Sequence, residues 1–518
     1  MGTDYITSIS YSTDGGETWT TTQNQNNKSE NLVVNINVRE GDRVLWKGDA
    51  QQTGFYDEDE EVDDYVGSFF SSTAEFDTEG NIMSLLYGDN FIGETELEYA
   101  AQFACLFYDY DEENECLIVN AENVSLPATT LTNYCYNSMF YGCTGLTTTP
   151  SILPATTLAA SCYYSMFSGC RSLTTSPELP ATTLIRRCYR SMFQNCISLT
   201  TAPSLPATTL EENCYCFMFY GCTGLTIAPE LPATTLAGNC YYGMFDGCRS
   251  LTTVPALPAT TLAGSCYYGM FEGCTSLTTA PALPATTLEG SCYRHMFRDC
   301  TSLTSAPALS ATTMAYGCYE GMFENCSSLT TAPALPATTL ADNCYSSMFQ
   351  DCTNLTTTPS LPATTLADGC YQYMFQGCTS LTTAPVLPAT TLADYCYSSM
   401  FQDCTSLTTA PSTLPATTLA NYCYSDMFNN CTSLTTAPVL PATELVEYCY
   451  YEMFYECNSL NYIKCLATDI YADYCTEDWV QGVASSGTFV ENPSMSIWDY
   501  WPRGVSGVPD NWTLQKPS

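Results

Sequence analysis

The sequence predicts a solenoid of mixed α/β coils, preceded by a small β domain and closed by a C-terminal cap. Three observations predict it. The motif C-Y-x-x-M-F-x-x-C occurs 13 times, and its second cysteine recurs every 26 residues except for two steps of 27. Leu, Cys, Met and Phe hold fixed places inside every unit. All six tryptophans lie outside the array: Trp19 and Trp46 before it, Trp479, Trp498, Trp501 and Trp512 after it. A unit this short cannot bury its own apolar stripe, so neighbouring units must stack.

A fixed period of roughly 20–29 residues with recurring Leu reads as a leucine-rich-repeat array. About 13–14 coils are expected. In the unit from Leu387, the L-P-A-T-T segment is a turn, and Thr390 or Thr391 can cap the segment after it. Leu392, Cys396, Met400 and Cys404 then recur every four residues, with Phe401 beside them. That spacing predicts a short helix with one apolar face. Leu407 to Ala410 is expected as a short strand ended by Pro411. Both one-residue insertions, in PSILPATT and PSTLPATT, fall beside the Pro-rich segment and mark it as a loop.

Residues 1–80 form the expected N-terminal β domain, a sandwich-like module with strands in ITSISYS, TWTTT, NLVVNINV and DRVLWKG. Residues 81–116 are a linker and a degenerate first coil. The solenoid proper covers 117–464. Residues 465–518 are the capping region that a solenoid requires.

The 31 cysteines recur in register. Cys196, Cys222, Cys248, Cys274, Cys300, Cys326, Cys352, Cys378 and Cys404 are expected as a buried ladder of free thiols. Unpaired Cys behaves as a small hydrophobe. Disulfides within a C-x7-C pair are the rival reading. On a helical stripe those residues sit roughly 11 Å apart, beyond the ~7 Å that a bridge allows. No C-x-x-C pair exists, and Cys214-Tyr215-Cys216 is a poor zinc chelate. The Tyr after the first cysteine, Tyr136 through Tyr450, is read as packing rather than as a sugar platform.

Net charge is −40, which excludes nucleic-acid binding. No stretch approaches ~18 uninterrupted apolar residues, so no membrane insertion is expected. The start, MGTDYITSISYSTDGG, lacks the basic and apolar runs of a signal peptide. Either the chain is not exported by that route or a leader has been removed. No cofactor is expected, calcium excepted. Asp57, Asp59, Glu61 and Asp63 lie in a dense acidic run and are candidate calcium ligands, against the plainer reading of a solvated loop.

Several motifs are weighed and set aside. LPATT occurs 11 times but lacks the Gly and tail of a sortase signal. Ser12 to Trp19 fits the S-x-D-x-G-x-T-W Asp-box of sialidase propellers, yet a single copy reads as a hairpin turn. His295 is the lone histidine and occupies a variable position, so it reads as decoration rather than as part of a triad. No catalytic residues are assigned.

The unit's tail, M-F-x-x-C-x-S-L-T-T-A-P, resembles the BspA-like (Treponema pallidum type) leucine-rich repeats over residues 100 to 465. Met replaces the Ala of that pattern, Cys replaces an upstream Ile, and the LPATT loop is longer. NIMSLLYGDNF and GTFVENPSM look like segments of proteins from gut Bacteroidales and their crAss-like phages. The resemblance implies adhesion and surface binding without catalysis. The expected role is an exposed phage virion component that contacts protein or glycan ligands on host or mucosal surfaces. Contacts to other virion proteins would run through the N-terminal domain, in an oligomeric setting. The alternatives are a bacterial cell-surface adhesin and a solenoid-scaffolded carbohydrate-active enzyme. Recognition is expected on the variable side: Tyr164, Arg190, Phe217, Tyr242, Arg294, Glu320, Gln372 and Asp426.

Overall fold

The computed structural model describes residues 8–23, 34–48, 54–56, 65–67, 69–108, 116–494 and 503–516. The chain divides into two compact units, Met1–Ala233 and Thr234–Ser518.

In the first unit, β1 (Ser8–Ser12), β2 (Thr20–Gln23) and β3 (Leu45–Gly48) make an antiparallel sheet in the order β2-β1-β3. β4 (Gly54–Tyr56) pairs with β5 (Tyr65–Gly67). Of the expected NLVVNINV strand, residues 34–38 carry no ladder and residues 31–33 lie outside the described residues. The Asp-box is a turn. Ser12 Oγ donates to Asp14 Oδ1 at 2.7 Å, and Thr18 donates to Asp14 through both its amide (2.9 Å) and its hydroxyl (2.6 Å). Those bonds hold the Asp14 carboxyl well below the usual range. Trp19 carries the Lys47 ammonium 4.0 Å over its ring.

Coil stacking starts before the regular repeats. β6 (Phe76–Asp77) and β7 (Gly80–Asn81) pair in parallel with β8 (Ile118–Asn120) and β9 (Val124–Ser125). Between them lie a single helical turn, α1 (Ser84–Tyr87), and a 3-10 turn at Gly88–Asn90. Phe103 and Phe107 of the degenerate coil stack on Tyr136 and Phe140 of the next.

The segment expected as a helix is not one. Among the described residues, α1 is the sole α-helix. Each C-Y-x-x-M-F-x-x-C segment is instead a ribbon of overlapping turns. In the coil at Gly317, the amides of Cys318, Glu320, Met322, Glu324 and Cys326 each bond back three residues. The intervening amides of Gly317, Tyr319, Gly321, Phe323 and Asn325 bond forward to carbonyls of the next coil. Half the donors therefore close turns and half tie coils together, so every amide of the ribbon is used. Every second turn needs a left-handed residue at its third position. Gly317, Gly321 and Asn325 supply it, with φ of 52°, 57° and 57°. The resulting repeat is four residues long, two side chains inward and two outward. This explains an apolar stripe of period four without any helix.

The other sides of each coil are thin ladders. Single threonines pair in parallel with their counterparts, as in Thr183↔Thr209 and Thr201↔Ile227 in the first unit and Thr365↔Thr391 and Thr383↔Thr409 in the second. The expected Leu-Thr-Thr strand is thus a row of isolated bridges, and the ATT part of LPATT makes another. These threonines are exposed.

The inward pairs build the core. Cys, Tyr, Met, Phe and Cys of each full motif are 0–1% exposed. Within each unit the motif tyrosines stack face to face at 5.6–6.1 Å, as from Tyr267 to Tyr450, and the phenylalanines at 5.4–5.8 Å. Each stacked pair adds about 0.5–1.5 kcal/mol beyond area burial. The tyrosine row is therefore packing, and three of its hydroxyls, on Tyr136, Tyr397 and Tyr424, meet no partner among the described residues.

The cysteine ladder is buried and free, with more to it than filling. The second-cysteine thiol donates to the Phe carbonyl of the preceding coil at 3.0–3.2 Å, in Cys196→Phe167, Cys222→Phe193, Cys274→Phe245, Cys300→Phe271, Cys326→Phe297, Cys352→Phe323, Cys378→Phe349 and Cys404→Phe375. No C-x7-C pair is bridged. One disulfide exists, Cys116–Cys143, and it joins the degenerate coil to the first full one.

In the second unit, β10 (Tyr462–Lys464), β11 (Thr488–Val490) and β12 (Thr513–Gln515) form a parallel sheet. Trp479 fills the Met place of the motif at 0% exposure, and its indole donates to Gly507 O at 2.9 Å. Trp512 closes the end, its indole donating to Ala484 O at 2.7 Å.

Two substitutions test the thiol's role. Cys352→Ala removes both volume and donor and is expected to cost about 1–2 kcal/mol. Cys352→Ser keeps a donor for Phe323 O and is expected to cost less than Ala. Urea unfolding of the two variants decides; Ser worse than Ala means the site wants only an apolar filler.

Candidate functional site

The turn ribbon fixes where variety can appear. Two residues after Cys-Tyr and two after Met-Phe point outward in each coil. All eight expected recognition residues lie there, half-buried, in two adjacent columns. Tyr164, Arg190, Tyr242, Arg294, Glu320 and Gln372 occupy the first column. Phe217 and Asp426 occupy the second, with left-handed φ of 55° and 56°.

In the first unit, the Arg190 guanidinium lies 5.9 Å over the Tyr164 ring. Phe217 meets Tyr220 edge-on at 5.6 Å. In the second unit, Tyr242 and Tyr268 stack at 4.5 Å, and Arg294 lies 5.7 Å over Tyr268. Arg294 also pairs with Glu320 at 2.8 Å. Four of the eight thus form two internal pairs, Arg190 on Tyr164 and Arg294 on Glu320. Gln372 and Asp426 lie further along the second unit, and Asp426 accepts from Ser425 Oγ at 2.7 Å.

A second row runs beside the first. Arg298 reaches Glu324 at 3.4 Å, Asp299 at 3.7 Å and Glu272 at 3.9 Å. Asp246, one coil before Glu272, is pushed up to about 7 by burial and by the Glu272 and Asp299 charges, against the pull of Arg298. Burial also raises Glu272, Glu320 and Glu324. His295 is pushed down to about 4 by burial and by Arg298 and Arg294, so it is neutral at pH 7. Burial pushes the Cys216 thiol up to about 11 and Cys222 to about 12, so neither is a thiolate nucleophile at neutral pH.

No group of three or more His, Cys, Asp or Glu that could hold a metal occurs among the described residues. The calcium candidates Asp57, Asp59, Glu61 and Asp63 lie outside the described residues. No helix is long and apolar enough to cross a membrane among the described residues.

One outward feature goes beyond the expected recognition residues. The residue before the first motif cysteine is Tyr395, Tyr422, Tyr448 and Tyr474 in four consecutive coils. Their rings stack at 4.4–4.7 Å with interplanar angles of 8–20°. The D-Y-C, N-Y-C, E-Y-C, D-Y-C series is its signal in the sequence.

The coil geometry, with Leu, Phe and Cys inside at a fixed repeat, is what a family model for the BspA type Leucine rich repeat region matches. Its matches cover residues 117–228, 217–356, 293–435 and 345–473. The chain belongs to the BspA-type leucine-rich repeat family. A solved leucine-rich repeat protein from Bacteroides ovatus is similar at 20% identity and a TM-score of 0.41, covering 63% of this chain and 76% of its own. A search of the curated proteins found no match.

The titration pattern gives opposite signs at two residues. Asp246 is raised, so the stability it contributes is complete below about pH 4 and lost as pH rises through about 7. Asp246→Asn is therefore expected to melt higher than the parent at pH 8, the gap closing as pH falls toward 4. His295 is lowered, so its contribution is lost as pH falls from 6.5 toward 4. Melting curves of Asp246→Asn and the parent across this range check it; a gap independent of pH excludes a charged Asp246 as the cause.

Proposed function

We propose that the protein is a non-catalytic binder that works as an exposed phage virion component and contacts protein or glycan molecules on host or mucosal surfaces. Membership of the BspA-type family supports the coarse reading, binding and adhesion rather than catalysis. One observation carries it: an almost invariant buried spine presents outward columns whose chemistry changes from coil to coil. Ligands met through extended solenoid faces are read by such columns. The buried thiols add weight to the virion setting. Twenty-nine of the 31 cysteines are free and buried against the single Cys116–Cys143 bridge, a balance that suits folding in a reducing cytoplasm before particle assembly more than passage through an oxidising export route.

The N-terminal sheet is the proposed attachment module to other virion proteins, and the outward columns are the recognition surface. Gold-labelled antibody against the chain is expected to decorate the exterior of purified particles. Label confined to a bacterial envelope would replace the virion reading with that of a cell-surface adhesin. Turnover of host or mucosal glycans by the purified chain would replace both with an enzyme.

A further inference from the structure

The tyrosine ridge of the second unit carries an inference of its own. Tyr395, Tyr422, Tyr448 and Tyr474 all have left-handed backbones, with φ of 54–58°. Most other coils put Ser, Asn or Gly at this place, among them Ser265, Ser291, Gly317 and Gly369, while Tyr134 and Arg187 are isolated exceptions. A bulky aromatic there is strained, at about 1–3 kcal/mol for each such residue. Four in consecutive coils therefore cost stability, partly offset by ring stacking. The ridge is exposed at its ends, Tyr395 by 40% and Tyr474 by 52%, while Tyr422 and Tyr448 are half-buried. The buried rows already supply the stacking that holds these coils together.

Among the described residues no cation lies over a ring of the ridge. No Lys, Arg or His occurs between Arg298 and Lys464, whereas thirteen Asp and Glu do. Desolvation within the stack, the neighbouring phenols, and the carboxylates Asp394, Glu447 and Glu477 together raise the hydroxyls of Tyr395, Tyr422 and Tyr448. Elsewhere the chain completes this arrangement itself. Arg294 sits over Tyr268 and pairs with Glu320, and Arg190 sits over Tyr164. The ridge has the ring and the carboxylate of that sandwich, and the third member is missing from this part of the chain.

We infer that the tyrosine ridge is a docking site for an extended, Arg-rich peptide segment of a partner protein. The inference rests on the binding function proposed above and names its partner's chemistry. A guanidinium group stacks on the end face at Tyr395, which follows a coil with Gly369 at this place. Others along the segment pair with Asp394, Glu447 and Glu477. Three steps of 4.4–4.7 Å match about four residues of extended peptide at ~3.3 Å each.

The test uses the full chain and labelled hexa-arginine, read by fluorescence anisotropy. The Tyr395→Ser/Tyr422→Ser double variant removes the end-face ring and the ring behind it, keeps net charge and installs a residue that other coils carry, and a single cooperative melt no lower than the parent's confirms its fold. The parent is expected to bind hexa-arginine and not hexa-glutamate, with the double variant weaker by about tenfold or more, on the scale of a lost cation–π contact. Glu447→Gln is expected to weaken binding several-fold. Equal affinity of parent and double variant would reduce the effect to general attraction by an acidic chain and overturn the site. Loss of a neutral oligosaccharide instead of the peptide would make the ridge a sugar platform. Binding to host cells is measured in parallel. Cell binding without peptide binding sinks this inference alone, and peptide binding without cell binding sinks the surface-adhesion reading alone.

Discussion

The structure depends on a division of labour among backbone amides. Along each motif segment, alternate N–H groups close a turn within the coil or bond to the coil ahead. Neither set alone would hold the chain. The turns lack the length of a stable helix, and the ladders on the remaining sides are single bridges rather than strands. Together they pair every ribbon amide in coils such as that at Gly317, and they demand a left-handed residue every four positions. Side-chain identity follows from that demand. Inward pairs must fill a dry spine, and outward pairs must include one residue that tolerates positive φ.

The coil period, the stacked architecture and the buried cysteines are legible in the sequence because each is a matter of register. Repeating the same side chain every 26 residues leaves stacking as the plain solution. The ribbon reads as a helix because Leu392, Cys396, Met400 and Cys404 look like one apolar face. A strict period of four does not fit that face. At about 100° per residue it drifts ~40° with each step, so three steps carry it a third of the way round. A sharper signal sits just before the second cysteine. Gly, Asn or Asp holds that place in 12 of the 13 motifs, and all 13, with Glu456 the exception in type, have positive φ. A helix would not require this, and a chain of turns does. The outward columns are legible as columns, since variability between fixed core positions marks a free face. The tyrosine ridge shows in the sequence only as the Tyr before four successive first cysteines, and an aromatic is not expected in the left-handed backbone it adopts there.

Cysteine answers a specific problem at the second motif position. The Phe carbonyl it meets already accepts a turn amide, and it lies where water is excluded. A side chain there has to be small and apolar, and a weak donor adds a second bond to the carbonyl. Serine donates but costs more to bury, while alanine packs but does not donate. A thiol does both at modest strength, and repetition along each unit multiplies a small term. Burial keeps it protonated, since desolvation lifts these thiols well above the ordinary range. The row is thus chemically quiet. The exception at Cys143 lies where the row meets the irregular first coil, whose Cys116 binds it covalently.

In-register stacking also constrains the outside. Equivalent side chains of adjacent coils are held close, as ring separations of 4.4–6.1 Å show, so like charges in one column repel at short range. The chain handles this in distinct ways. Arg298 lies between Glu272 and Glu324 in one column, so signs alternate. Asp342, Asp368 and Asp394 recur in another, and each accepts the backbone amide of the next coil, at 3.3, 3.2 and 3.0 Å. That bond gives each carboxylate a local partner and offsets part of the repulsion. Elsewhere burial favours the protonated acid, as at Asp246. A net charge of −40 on such a scaffold therefore works against compactness at nearly every coil. Folding does not ask for it, because the spine is uncharged and Ser, Asn or Gln fit the same outward places. The acidity belongs with the outer columns, where a charged face attracts partners of opposite sign and keeps copies of the chain apart.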